Sequence, residues 1–456
     1  MSDPHRPVIA RPDAPTWYHR SSREPALVLD PLVETIETEV CVVGGGLAGL
    51  ATCLSLVERG LDAVLIESGN PGDGASGRNG GMASSGFTRG ALDLEGSLGT
   101  EHTRRLHAHS VAALDLIQRR VQRYGIAADL VPGVLVASFF DDPRGLRAEF
   151  QALNERFATR VELCSREWMA ATYKTARYTE GLLDPDGFHL NPLALSRGYA
   201  RASLDGGARL YAHTQATAVE RAGSGWRVLT AGSHGRHAHP PASITARHVV
   251  LATNVYGDGL VPPLRRSLLP VATYVIVTEP LGDLLGQVIK APYAVFDDRF
   301  AVGYYRPLED GRLLWGGRVS LREHQPNLSG LMRRDLAHVY PQLAHVPIAS
   351  AWSGRMGFAR HKMPLLGQIE PGLWMNTAYG GHGLNTTTMG GDLVARAIAE
   401  DDKAIEDFAV FQPQPVFGPM GRLIAQGIYW GMSAKDNVRL RLQHRRASWK
   451  EGRSRH

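Results

Sequence analysis

The feature that most constrains this chain is one short stretch near its start, Val40-Cys41-Val42-Val43-Gly44-Gly45-Gly46-Leu47-Ala48-Gly49. An apolar run ends in Gly44-x-Gly46-x-x-Gly49, and Leu47, Leu50, Ala51, Leu54 and Val57 then recur at helical spacing as far as Gly60. A second apolar run, Ala63–Ile66, ends in Glu67. Strand, glycine turn, helix, strand and acid in this order make a dinucleotide-binding βαβ unit. Gly44 permits the tight turn, Gly46 lets the backbone approach a pyrophosphate, and Gly49 lets the helix pack on the strand. The helix start at Leu47 and Ala48 offers unpaired N–H groups and a positive dipole end to phosphate. Glu67, 18 residues past Gly49 and followed by Ser68, is placed to accept both hydroxyls of an adenosine ribose. A carboxylate there disfavours a 2′-phosphate, so NADP is not expected. The bland alternative is a glycine turn that binds nothing; the agreement of strands, helix and acid argues against it.

A second glycine-rich stretch follows at once. Residues 72–82 hold five glycines in eleven positions and include Ala75, Ser76, Arg78, Asn79, Gly80, Gly81 and Met82. Such a loop can press its backbone against a flat or anionic ligand. A flexible linker would not be expected to carry Arg78, Asn79 and Met82.

Composition bounds the class. A length of 456 residues favours two domains, and 43% hydrophobic with 21% charged residues is usual for a soluble globular enzyme. Cys41, Cys53 and Cys164 give neither a disulfide framework nor a zinc pattern, so a reducing, cytoplasmic setting is expected and no metal. No apolar signal segment opens the chain, and no 18-residue apolar run suggests a membrane span. The net charge of +5 is uneven: residues 421–456 carry nine Arg and Lys against Asp436 and Glu451, a net of +7, leaving −2 on the first 420. The basic character belongs to a tail.

Along the chain, residues 1–35 read as a proline-rich arm anchored by Trp17 and Tyr18. Helices are expected at Glu101–Arg123, about Pro143–Ala158 and Leu193–Leu204, with a strand at Val134–Ala137 between the first two. Strand-like runs follow at Ala208–Ala212, Thr217–Glu220, Trp226–Leu229 and Val249–Ala252, the last ending in Thr253 and Asn254. The Gly/His/Pro run from Ala231 to Pro241 reads as a hairpin loop. Thr273–Thr278, Phe300–Tyr305 and Leu313–Val319 suggest an antiparallel sheet. Leu373–Thr377 is a further strand, leading through Gly380-Gly381-His382-Gly383 into a helix expected over Gly390–Ala399.

These pieces in this order resemble the D-amino-acid oxidase family of FAD-dependent amine oxidoreductases, over about Thr16 to Glu400. The phrases Ala75–Gly81, Tyr274–Leu281, Tyr304-Tyr305-Arg306 and Gly311–Gly317 are closest to its gamma-glutamylputrescine oxidoreductase branch. The resemblance implies an α/β fold: a discontinuous Rossmann-like FAD-binding domain (36–90, 186–262 and 350–400) and a second, β-sheet substrate domain (91–185 and 263–349). An N-terminal arm (1–35) and a basic C-terminal extension (401–456) flank them. It implies FAD contacts at the residues already named and at Val219, Ala252, Thr253, Asn254, Gly380, Gly381, His382, Gly383, Leu384, Asn385 and Thr386. Non-covalent FAD is expected: the family members that attach it use a cysteine in the last third or a histidine in the first flavin loop, and this chain has neither.

The implied reaction is oxidation of a C–N bond in an amine or amino-acid derivative, with hydride passing to flavin N5. Water then hydrolyses the imine, and O2 reoxidises the flavin to give H2O2. Candidate catalytic residues are His382, Tyr274, Tyr305 and Arg318. Strand alternation means Tyr304 and Tyr305 cannot both face the flavin. Sarcosine oxidases carry a carboxylate-gripping lysine where this chain has Asn385, and an arginine where it has Gly81. The substrate expected is therefore a gamma-glutamylputrescine or polyamine type without a carboxylate on the reacting carbon. A sarcosine, glycine or D-amino-acid oxidase and an amine dehydrogenase serving a partner remain alternatives. A nucleic-acid-modifying flavoprotein is a further one, although the tail carries no RNA-binding module and no nucleic-acid partner is expected.

Overall fold

The computed structural model describes residues 15–233, 239–257, 259–300, 302–320 and 325–453, without the side chains of 419, 422, 437 and 444–453. It is a mixed α/β fold built on two sheets.

The first sheet grows outward from Ile36–Val43. This strand pairs in parallel with Ala63–Ile66 on one side and Ser243–Leu251 on the other. Cover on both faces buries Val40–Val43, which accounts for four consecutive apolar residues. Arg209–Tyr211 extends the parallel order on one flank and Leu373–Thr377 on the other, with Leu365–Glu370 antiparallel at the edge. A hairpin of Ala216–Ala222 and Gly225–Thr230 joins Ser243–Leu251 through its second strand. Ser233 and His239 pair at the base of the expected Gly/His/Pro loop, whose residues 234–238 lie outside the described ones.

Two helices lie together against this sheet, Leu47–Val57 and Gly383–Ala399. Their backbones meet so closely that a Cβ on Gly391 would sit 2.6 Å from the Thr52 nitrogen. Asn376 on the neighbouring strand ties the first helix down, donating to the Ala48 carbonyl at 3.2 Å and the Thr52 hydroxyl at 2.8 Å.

The second sheet runs Ile348–Phe358, Leu269–Thr278, Leu313–Ser320, Tyr304–Pro307, Ala294–Asp297, Val131–Ala137, Gly181–His189 and Met82–Ala83, with Glu162–Cys164 beside Gly181–His189. Period-two alternation divides its residues. Ala272, Tyr274 and Ile276 pack with Trp315 and the helix Leu328–Val339 into one core, whereas Val275, Val277 and Leu314 pack with Trp352, Leu193 and Tyr18 on the other face. The arm is anchored as expected: the buried Tyr18 hydroxyl donates to the Asn79 carbonyl at 2.8 Å, and Trp17 lies under Arg312.

Three departures from the sequence reading have physical causes. Gly181–His189 and Ile348–Phe358 are strands although their interiors hold Asp-Pro-Asp-Gly and Ser-Gly-Arg; pairing to long neighbours overrides low propensity. The expected segment borders at 185/186 and 349/350 fall inside these two strands, both of the second sheet. The helix expected over Gly390–Ala399 starts at Gly383 instead, because Thr386–Thr388 are buried and their hydroxyls find partners within the fold. The tail forms one helix, Gly418–Arg453. No described helix is long and apolar enough to cross a membrane.

Candidate active site

A cavity of about 1450 Å³ opens at the carboxyl ends of the parallel strands and extends to the second sheet. Ligands of open α/β sheets bind at this end, where strand order reverses about the first strand. Gly44 turns sharply there at φ +111°, and a Cβ would stand 2.7 Å from the Ala252 carbonyl oxygen. Glu67 braces the turn: one carboxylate oxygen accepts the Gly45 N–H at 2.6 Å, the other the Gly69 N–H at 2.8 Å. The Leu47 N–H is taken by the Ser76 hydroxyl at 2.7 Å, which fastens the second glycine loop to the first.

That second loop is an organised shell. Arg78 is buried and donates to the carbonyls of Asp73 (3.1 Å) and Ser353 (3.2 Å), while its own carbonyl accepts Trp352 Nε1–H at 2.9 Å. Asn79 bridges the Ser76 carbonyl and the Gly81 N–H, both at 2.8 Å. From the second sheet Arg306, itself buried, donates to the carbonyls of Gly80 (2.8 Å) and Leu190 (2.9 Å). Its neighbour His189 is pushed down to about 3 by burial and then by the Arg306 charge, so the imidazole is neutral.

The far end of the cavity is walled by Tyr304, Arg318, Lys362 and the turn before Gly383–Ala399. Tyr304 sits in a slot made by glycines: a Cβ at Gly80 or Gly316 would come within 2.7 and 2.1 Å of its ring. Burial raises its phenol above the usual range, so it stays protonated. Arg318, at φ +57°, holds Asp335 at 2.7 Å, and that hydrogen bond keeps its guanidinium charged. His382 places Nε2 2.9 Å from the Ser84 carbonyl, and burial lowers its pKa. A neutral ring donating to Ser84 has its proton committed to holding the turn.

The cavity gathers most of the residues singled out from sequence: Gly44, Gly46, Leu47 and Ala48 with Glu67 and Ser68, then Ala75, Ser76, Arg78, Asn79, Gly80 and Met82. Ala252–Asn254, Gly380–Leu384 and Arg318 line it too. Seven others do not. Gly49 faces the Gly44 carbonyl, Gly81 faces the Leu190 carbonyl, and Val219 packs on the first sheet's core. Asn385 is buried and donates to the Ser110 carbonyl at 3.3 Å, and Thr386 bonds back to the His382 carbonyl. Tyr274 and Tyr305 are corrected by alternation: both point into the second sheet's core, where Tyr305 stacks on Trp315 at 5.2 Å and meets the Tyr340 hydroxyl at 2.6 Å. Tyr304 takes the cavity-facing position instead. Sequence reasoning missed Arg306, the Thr214–Ala216 contribution and a wall supplied by the tail. Only Arg306 had a signal, in standing next to the two tyrosines.

The donor set fits a flavin dinucleotide. Two helix N-termini abut the cavity, glycines leave backbone open beside it, and the Thr377 hydroxyl at its wall is buried without a hydrogen-bond partner. No described group of His, Cys, Asp and Glu could hold a metal ion.

Comparison with known proteins agrees. Residues 39–397 match the family described as FAD dependent oxidoreductase (DAO). The gamma-glutamylputrescine oxidoreductase of Escherichia coli K12 is 33% identical over 411 residues, covering 89% of this chain and 94% of that one. The probable oxidoreductase OrdL of Haemophilus influenzae is 29% identical, over 89% and 93%. Among solved structures, glycine oxidase from Geobacillus kaustophilus superposes with a TM-score of 0.66 at 22% identity, covering 83% of this chain and 98% of that one. At that identity the match speaks for the fold.

Proposed function

Because the chain belongs to the DAO family of FAD-dependent oxidoreductases, enzymes of C–N bond oxidation, we propose that its substrate is an amine of the gamma-glutamylputrescine type and its electron acceptor is O2. The observation that carries this reading is the similarity to the E. coli gamma-glutamylputrescine oxidoreductase, which runs through both sheets. One feature of the cavity supports it. Asn385, at the position of the carboxylate-gripping lysine of sarcosine oxidases, is turned to Ser110 and gives the cavity neither charge nor hydrogen bond. An α-carboxylate held where that lysine stands would get no charged partner from Asn385, and leaving it desolvated and unpaired is costly.

Bound FAD supplies the two-electron acceptor for the oxidation. The residues that would hold it are the turn Gly44–Ala48, Glu67, the loop 74–80 and the helix start at Gly383, without a covalent bond. Arg78, Asn79 and Arg306 fix the loop, His382 fixes the Ser84 backbone, and Tyr304 closes one side of the reaction space. The first sheet thus serves the cofactor and the second the substrate. Three buried thiols suit a reducing compartment, the cytoplasm.

The test is oxygen uptake by the purified yellow protein with gamma-glutamyl diamines, polyamines, N-methyl amino acids and D-amino acids. A gamma-glutamyl diamine should give the highest kcat/KM. Preference for sarcosine or a D-amino acid overturns the substrate; anaerobic flavin bleaching without oxygen uptake overturns the acceptor.

A further inference from the structure

The C-terminal helix lies beyond the residues that match the family, and it is apolar on two opposite sides. The inner side is covered. Gly421, Ile424, Ala425, Ile428 and Tyr429 line the cavity, at spacings of three, four, seven and eight that define one helix face. Further along, Asp436 accepts the Phe300 N–H at 2.8 Å, Leu440 packs on the second sheet's core, and Arg439 reaches Asp142 at 3.2 Å. These contacts fix which side faces outward.

The outer side faces solvent. Met420, Leu423, Trp430, Val438 and Leu442 are between 51% and 74% exposed. At 3.6 residues per turn they project within an arc of about 120°, opposite Asp436 and Leu440. Gly427 and Gly431 share that arc, and a Cβ on either would meet nothing within 4 Å. A surface helix ordinarily keeps one apolar stripe for the body and a polar face for water. Here a second stripe runs about 33 Å from Met420 to Leu442, and an exposed apolar surface of that extent marks a docking face.

Charge identifies what covers it. Residues 421–456 carry nine Arg and Lys against Asp436 and Glu451, and Asp436 is turned inward to the Phe300 N–H. Arg441 falls inside the outer arc and Lys435 at its edge. Cations bordering a stripe of Met, Leu, Trp and Val match a lipid interface, which takes the apolar side chains below its phosphates and the cations beside them. A second copy of the chain would instead bring two tails of net +7 together. A nucleic acid would engage the cations and leave Met420, Leu423 and Val438 in water. We propose that this outer face seats the enzyme on the anionic surface of a lipid bilayer, with the helix lying in the plane of the interface rather than crossing it. Each methylene withdrawn from water strengthens such binding about fourfold, and each Lys or Arg beside an anionic leaflet about fivefold. The seat depends neither on the substrate nor on the electron acceptor.

The experiment sediments the full-length holoenzyme with vesicles of phosphatidylcholine alone and with vesicles in which a third of the lipid is phosphatidylglycerol. The anionic vesicles should bind at least tenfold more tightly. Salt at about 0.5 M, which shortens screening to about 4 Å, should weaken that binding at least tenfold. Leu423→Asp combined with Trp430→Asp should also weaken it at least tenfold while keeping the native FAD content. Val28→Asp, on the exposed N-terminal arm, should bind as the native enzyme does. If the double variant does not fold, Leu423→Gln combined with Val438→Gln repeats the measurement. Equal binding to both kinds of vesicle, or native binding by the outer-face variants, overturns the proposal. So does a dimer seen without lipid by sedimentation equilibrium and lost in the double variant, which gives the face to a second copy. An RNA gel shift lost in the same variant overturns it too.

Discussion

Arg306 donates its Nε–H to the carbonyl oxygen of Gly80 at 2.8 Å, joining a strand of the second sheet to a loop 226 positions earlier. The same guanidinium holds the Leu190 carbonyl and lies 3.2 Å from His189 Nδ1. One buried cation therefore sets where the second glycine loop stands against the first sheet.

Arg306→Met should leave the Gly80 and Leu190 carbonyls unpaired in the interior. The expected loss is about 3 kcal/mol of stability, with FAD affinity falling at least tenfold because the loop loses its brace. Arg306→Lys should recover only part of both, since an ammonium cannot match the fork geometry. Urea unfolding and FAD titration of the apoprotein measure the two effects. Wild-type FAD affinity in Arg306→Met would rule out the bracing role.

Gly316→Ala tests the slot around Tyr304. The added methyl would meet the Tyr304 ring at 2.1 Å, so the ring must leave its place. A destabilisation of about 1–3 kcal/mol is expected from overpacking, together with a changed visible spectrum of the bound flavin. An unchanged spectrum would mean that Tyr304 does not border the chromophore.

The nucleotide unit was legible because strand, turn, helix and acid are local in sequence, and Gly49 answers a contact with Gly44 only five residues away, although the Gly44 turn itself is pressed against the distant Ala252 carbonyl. The second sheet was legible only in part. Its strands with regular apolar runs, such as Thr273–Thr278, could be read; Gly181–His189 and Ile348–Phe358 could not, because distant partners stabilise them. Alternation restricted the choice between Tyr304 and Tyr305 to one of the two, but the inward face is set by the helix Leu328–Val339 packing on the other side, which no local pattern records. The tail's role at the cavity was invisible for the same reason: charge dominates its composition, while five residues on one helix face make the wall.

Glu67→Ala should weaken FAD binding by about 1–3 kcal/mol, because a charged acceptor is lost and the Gly45 and Gly69 N–H groups lose their partner. Isothermal titration of the apoprotein with FAD measures this. Retention of wild-type affinity would remove Glu67 from the site.

Acid precipitation should release FAD intact. None of the three cysteines lines the cavity, and the one histidine among its described lining residues, His382, is engaged with Ser84. Yellow colour remaining with the precipitate would contradict the non-covalent assignment.

Acid should weaken the fold through its buried histidines. His107, on the helix Thr100–Arg123, is buried against Phe157 with its Nε2 unpartnered. Burial, and then the nearby His382, push its pKa down to about 4. An unfolded chain protonates the same ring near pH 6.5. Between those two values the unfolded state binds more protons, so stability is fully present above about pH 6.5 and falls as the pH drops toward 4. The loss from this group is about 3 kcal/mol, and His189 acts in the same direction down to about 3. His107→Leu removes the titrating group and its unpartnered nitrogen while keeping an apolar contact with Phe157. Urea unfolding at pH 7.5 and pH 4.5 should therefore give a smaller difference for the variant than for the native protein. An equal difference in both would mean that His107 is protonated in the folded state at pH 4.5.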